Sequence, residues 1–88
     1  MIHREVTIVN RLGMHVRPAA ALVKLAAKFK SEFFVEKDGL EINGKSIIGV
    51  MTLSAEQGSK LLFRFDGEDE EAMAVELCGL VERGFDEM

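Results

Sequence analysis

The sequence predicts an α+β sandwich, a single β-sheet with helices packed on one of its faces. Three observations carry that prediction. Four segments read as strands, two place apolar residues at helical spacing with a third read as a short capped helix, and the two kinds interleave along only 88 residues. A chain of that length is one domain, since domains run roughly 50–200 residues, and residues 1–88 hold no repeat, linker or low-complexity tract.

Ile2 to Val9 alternates, with Ile2, Val6 and Ile8 on one face and His3, Glu5 and Thr7 on the other, as in a half-buried strand. Asn10 and Gly13 break that pattern. From Pro18 to Phe29 the residues Ala19, Leu22, Val23, Ala26 and Phe29 follow a helical stripe, with Arg17, Ala21, Lys24 and Lys28 opposite. Glu32 to Lys37 is a second strand with Phe33 and Val35 inward, and Asp38-Gly39 is a type I′ hairpin signal leading into Leu40 to Asn43. Ser46 to Leu53 reads as a short helix capped by Ser46, although Ile47, Ile48 and Val50 would also suit a strand. Gly58 precedes a clear strand, Lys60 to Phe65, with Leu61, Phe63 and Phe65 inward. After Asp66-Gly67, the carboxylates Glu68 to Glu71 sit at the start of a helix that buries Met73, Ala74, Leu77, Leu80 and Val81 and ends near Gly84. The order is β-α-β-β-α-β-α.

Charge narrows the function. Residues 1–30 carry six basic side chains against Glu5 alone, while residues 31–88 carry five against 14 acidic ones. An acidic chain with one basic third is a poor general nucleic-acid binder and better suited to an anion or an acidic protein surface. The single cysteine, Cys78, forms no internal disulfide. The charged start of the chain lacks a signal-peptide pattern, and the longest apolar runs, Pro18 to Val23 and Ile47 to Met51, fall far short of the roughly 20 residues of a membrane span. A cytoplasmic location without membrane insertion is expected.

The segment Asn10-Arg11-Leu12-Gly13-Met14-His15-Val16-Arg17-Pro18-Ala19-Ala20 holds the most informative chemistry. Pro18 belongs in a first helical turn, where its missing N–H costs nothing, so the helix begins near His15 or Arg17. His15 then lies beside free backbone amides at the positive end of a helix, a place that favours phosphate. Arg17 can offer its planar fork to phosphate oxygens. A neutral imidazole is a good nucleophile toward phosphorus, and the helix terminus with Arg17 favours the uncharged ring. From these residues alone the alternative, a polar residue ending a loop, stays open.

Gly13-x-His15-x-Arg17-Pro18-Ala19 resembles the active-site signature of HPr, the histidine-containing phosphocarrier family of the bacterial phosphoenolpyruvate-dependent phosphotransferase system. The resemblance spans essentially the whole chain. It implies an open-faced β-sandwich, a four-stranded antiparallel sheet of order 1-4-2-3 with three helices on one face. It further implies that His15 accepts a phosphoryl group from phosphorylated enzyme I, usually on Nδ1, with Arg17 as its partner, and passes it to IIA domains or proteins of sugar permeases. The chain would be a stoichiometric carrier rather than a turnover enzyme, with no cofactor and no metal; a monomer is the simplest expectation for a carrier whose histidine must reach two different partners.

Gly44 to Met51 resembles the regulatory serine region of the same family, which implies phosphorylation of Ser46 by HPr kinase/phosphorylase and a transcriptional regulator as a further partner. By itself, a serine before an apolar run is a helix N-cap. Ile47, Ile48 and Met51 cannot all face the core of a short helix, so part of this surface is exposed. In the family this helix docks on enzyme I and IIA together with residues matching Val16, Ala20 and Lys24, and a rim of Arg17, Lys24 and Lys45 would suit acidic partners. Two alternatives remain: a nitrogen-branch phosphocarrier, and a regulatory binding module working through Ser46.

Gly39-Leu40-Glu41-Ile42-Asn43-Gly44-Lys45-Ser46 also satisfies the P-loop pattern. Its context fails, because Leu40 to Ile42 alternate as a strand where a phosphate cradle needs a loop of converging amides, and the chain is too short for the parallel sheet such sites use. His3 is expected on the outer strand face and Cys78 beside the core; with His15 they lack zinc-like spacing.

Overall fold

Alternation at period two and spacing at 3.6 resolve into four strands and three helices: β1 (Ile2–Thr7), α1 (Val16–Ala26), β2 (Glu32–Lys37), β3 (Leu40–Asn43), α2 (Ile47–Thr52), β4 (Lys60–Asp66) and α3 (Glu70–Glu82). The computed structural model describes residues 1–87. The sheet is antiparallel with order β1-β4-β2-β3, as the family resemblance implies. Asp38 and Gly39 both have positive φ, 52° and 86°, as the β2–β3 hairpin turn requires.

The inward positions of β2 and β4 are filled by Phe33, Val35, Leu61, Phe63 and Phe65, all buried. Register places Phe33 opposite Phe65 and Val35 opposite Phe63. The Phe33 and Phe65 rings stack with centroids 5.1 Å apart, and Phe63 meets Phe33 edge-on at 4.9 Å. Over this floor pack Ala19, Leu22 and Ala26 of α1, Val50 of α2, and Met73, Leu77 and Val81 of α3, in one continuous core. The opposite face of the sheet carries Arg64, which pairs with Glu41 at 2.9 Å and lies over the Phe34 ring.

Four boundaries differ from the spacing, the smallest difference being β4, which runs one residue past Phe65 to Asp66. β1 ends at Thr7 instead of Val9, although Ile8 still exchanges backbone bonds with Gly58 and Ser59. α1 starts at Val16, two residues before Pro18, because exposed Val16 and Arg17 add nothing to the apolar stripe while Pro18 fits a first-turn position with no amide partner. It ends at Ala26, short of Phe29, where the Phe29 N–H bonds to the Ala26 carbonyl in a tightened turn.

The loop between β1 and α1 is clamped rather than merely connected. Gly13 has φ +70°, and a Cβ there would stand 2.5 Å from the Ala55 carbonyl oxygen. That close approach lets the Met14 N–H bond to the same carbonyl at 2.8 Å while the Met14 side chain enters the core. A second tie joins the α1–β2 loop to α3. Asp69, at the N-cap position, does not cap its own helix with its side chain; its carboxylate accepts from the Ser31 hydroxyl and from the backbone N–H groups of Lys30 and Ser31.

Two predictions arise from these ties. Gly13→Ala should cost about 2–4 kcal/mol through backbone strain and overpacking, read as a lower urea midpoint with unchanged slope. The Ser31 hydroxyl, and after it the Lys30 and Ser31 amides, hold the Asp69 carboxyl at about 2 against its ordinary 3.8. The stabilisation from Asp69 is therefore fully present above pH 3.8 and lost as pH falls toward 2. Urea unfolding across that window should show a slope that Asp69→Asn removes.

Candidate functional site

The clamp on Gly13 and Met14 fixes the residue that follows. With Met14 turned into the core, His15 emerges at the N-cap of α1 in extended conformation (φ −83°, ψ −171°). Its N–H bonds to the Gly13 carbonyl at 3.0 Å, and its carbonyl accepts the first helical bond from Ala19 at 3.0 Å. Among the described residues no side chain caps this helix. Pro18 has no N–H to satisfy, and among the described residues the amides of Val16 and Arg17 have no backbone or side-chain acceptor. The terminus is thus open to an anion.

The His15 ring, 31% exposed, has one nitrogen engaged and one free. Nε2 lies 3.0 Å from Glu87 Oε2 and 3.4 Å from Oε1, while among the described residues Nδ1 has no hydrogen-bond partner. Asn10 holds the carboxylate from below: fully buried, it donates through Nδ2 to the Gly13 carbonyl at 2.7 Å and to Glu87 Oε1 at 2.9 Å. Only this orientation of the amide fits, since the opposite one would set an oxygen against two oxygens. A shallow cleft of about 530 Å³ surrounds the ring, lined by Arg11, Leu12, His15, Arg17, Asp86 and Glu87. Arg17 is exposed and, among the described residues, unpaired, whereas Asp86 is bonded to Arg83 at 3.0 Å.

Glu87 reaches the ring through an unusual turn. After α3, Gly84, Phe85 and Asp86 all lie at positive φ (67°, 58° and 59°). Each non-glycine residue so placed costs roughly 1–2 kcal/mol; burial of Phe85 and the Arg83–Asp86 bond oppose that cost. Gly84 follows the predicted helix end, with Arg83 at the C-cap position.

The second group of candidates lies along α1 and α2, which pack together. Val16, Ala20, Lys24, Ile47, Ile48 and Met51 are all exposed, Val16 at 57% and Ile48 at 76%, while Val50 is buried. Lys45 is not a free cation on the rim, as the charge pattern suggests: its Nζ donates to the Phe29 carbonyl at 2.7 Å. Ser46 is the N-cap of α2, its Oγ accepting from the Gly49 N–H at 3.1 Å. The P-loop pattern dissolves in this setting. Leu40–Asn43 is a strand, and Gly44 is small because a Cβ there would meet the Phe33 ring, whose residue's carbonyl accepts the Gly44 N–H at 2.7 Å.

His3 is exposed on β1, and Cys78 is half-buried, its thiol pushed up by burial and then by Glu82. Asn10, Asp86 and Glu87 are the site residues that sequence reasoning missed. Asn10 reads only as a turn former, and nothing local brings Glu87 to a ring 72 residues earlier.

A family model described as the PTS HPr component phosphorylation site matches residues 2–83. The phosphocarrier protein HPr of Xylella fastidiosa is 44% identical over 87 residues, covering 99% of this chain and 98% of its own length. The HPr-like protein Crh of Halalkalibacterium halodurans is 37% identical over 83 residues, covering 94% of this chain and 99% of its own. The crystal structure of an HPr from Thermoanaerobacter tengcongensis superposes with a TM-score of 0.96 at 41% identity, covering 100% of this chain and 99% of that one. Sequence and fold agree from end to end, and the chain belongs to the HPr phosphocarrier family.

Proposed function

We propose that the chain is a stoichiometric phosphoryl carrier of a cytoplasmic phosphotransferase chain. In this reading His15 takes a phosphoryl group on Nδ1 from phosphorylated enzyme I and gives it to a IIA domain or protein. One observation carries the proposal: among the described residues, His15 caps α1 with Nδ1 unpartnered, beside the unsatisfied amides of Val16 and Arg17. Those amides and the Arg17 guanidinium supply positive charge where the phosphoryl oxygens gather, and such transfer depends mostly on positioning and charge stabilisation. The exposed residues Val16, Ala20, Lys24, Ile47, Ile48 and Met51 form the docking face, which meets each partner in turn and suits a monomer.

Ser46 phosphorylation by HPr kinase/phosphorylase, read by a transcriptional regulator, is the second reading. It is favoured by the position of this serine at the edge of the docking face and by the likeness to Crh. A phosphate there would add negative charge beside Ile47 and Ile48 and repel an acidic partner surface.

Intact-mass measurement after incubation with phosphoenolpyruvate, magnesium and enzyme I should show one acid-labile phosphate on the wild type and none on His15→Ala. An unlabelled wild type, with enzyme I demonstrably active, would overturn the carrier reading. Arg17→Ala should slow transfer about 10- to 100-fold, the kinetic equivalent of a charge-assisted hydrogen bond of about 1.5–3 kcal/mol. Ser46→Asp keeps a good N-cap residue, so its thermal midpoint should hold while transfer from enzyme I falls by about tenfold or more. An unchanged rate would count against regulation through Ser46.

A further inference from the structure

We infer that Glu87 is a positioning residue for His15, selecting the ring tautomer in which Nδ1 is free of its proton. The inference rests on the carrier reading above, because only a reaction at Nδ1 gives the choice of tautomer a consequence. A neutral imidazole carries one proton shared between two nitrogens, and the hydrogen bond at one nitrogen decides which holds it. A carboxylate only accepts, so Glu87 at 3.0 Å from Nε2 requires the proton at Nε2 and leaves the lone pair on Nδ1.

Asn10 makes that selection directional. Its buried Nδ2 donates to Glu87 Oε1 and to the Gly13 carbonyl, so the carboxylate is tied to the same loop that fixes His15. The left-handed turn through Gly84, Phe85 and Asp86 delivers Glu87 from the other side. Ring, carboxylate and amide thus form one chain of hydrogen bonds ending in the clamped backbone.

The transfer step balances with this arrangement. The Nδ1 lone pair forms the new N–P bond as the bond from phosphorus to the donor side chain of enzyme I breaks, its electron pair leaving with the donor. The ring keeps its Nε2 proton and becomes positively charged, with the Glu87 carboxylate already beside that proton. On delivery to IIA the electrons return to Nδ1 and the same tautomer is restored.

The amide of Asn10 makes Glu87→Gln a sharper test than truncation. In the glutamine variant Asn10 Nδ2 claims the new amide oxygen, which turns the new NH₂ group toward His15 Nε2. Nε2 must then accept, the proton moves to Nδ1, and the nucleophile is blocked. Long-range ¹H–¹⁵N spectra of the full-length ¹⁵N-labelled protein at mildly alkaline pH read the two ring nitrogens directly. The wild type should show a protonated Nε2 and a bare Nδ1, Glu87→Gln a shift toward protonated Nδ1, and Glu87→Ala a mixture. Phosphorylation by enzyme I should fall about tenfold in Glu87→Gln, following the fraction of rings with a free Nδ1 lone pair, and less in Glu87→Ala.

A Glu87→Gln protein with the wild-type ring spectrum and transfer rate, beside a wild type that accepts phosphate, would overturn this role and leave the carrier reading intact. A wild type that accepts no phosphate overturns the carrier reading and this role with it.

Discussion

The buried Met14 side chain is the constraint on which the site depends. Its neighbour Gly13 approaches the Ala55 carbonyl more closely than any side chain allows, and Met14 bonds to that same carbonyl. With one residue committed to the core, the next must leave it, and His15 emerges where α1 begins. The placement of His15 is here a by-product of core packing, and a loop held this way has little conformational entropy left to lose. The same economy governs α1, where Pro18 sits in the first turn without adding another unsatisfied amide.

Charge is sorted by the fold as well as by the sequence. Much of the acidic majority is used internally. The Arg64 side chain lowers the Glu41 carboxyl, the Gly67 amide and the Met1 amino group lower Glu70, and Asp69 gathers the amides of the α1–β2 loop. The cations Arg11, Arg17, Lys24 and Lys28 stay exposed around the start and outer face of α1. Glu87 departs from that segregation: with Asp86 it lines the cleft beside Arg11 and Arg17, and its carboxylate meets the His15 ring. A carboxylate beside an open helix N-terminus and Arg17 opposes anion binding by simple Coulomb reasoning, so its presence needs a local role, which hydrogen bonding to His15 Nε2 supplies.

The segment from Gly39 to Ser46 shows how one string of residues meets several demands that have nothing to do with nucleotide. Gly39 serves a hairpin turn, Gly44 yields space to Phe33, Lys45 ties down the Phe29 carbonyl, and Ser46 caps α2. Each residue of the pattern has a separate structural cause, and together they still place a hydroxyl at the rim of an exposed apolar face.

Local periodicity was enough to find the four strands and the two long helices α1 and α3, because burial on one side of a strand or helix writes its period into the sequence, whereas α2 was read from its Ser46 cap against β-branched residues that also suit a strand. Phe33, Val35, Leu61, Phe63 and Phe65 are inward as their alternation requires, and Met73, Ala74, Leu77, Leu80 and Val81 as their helical spacing requires. His15 and Arg17 stood out for a related reason: a glycine, a histidine, an arginine and a proline at those offsets is a local pattern, and the family resemblance gave it the sheet order that spacing does not encode. What tertiary structure alone decided involves partners far apart in the chain. Asp69 bonds to Ser31 across 38 residues instead of capping its helix, and Asn10 and Glu87 meet across 77 beside His15. Such contacts depend on where packed elements bring their ends, and a short-range period carries no record of that.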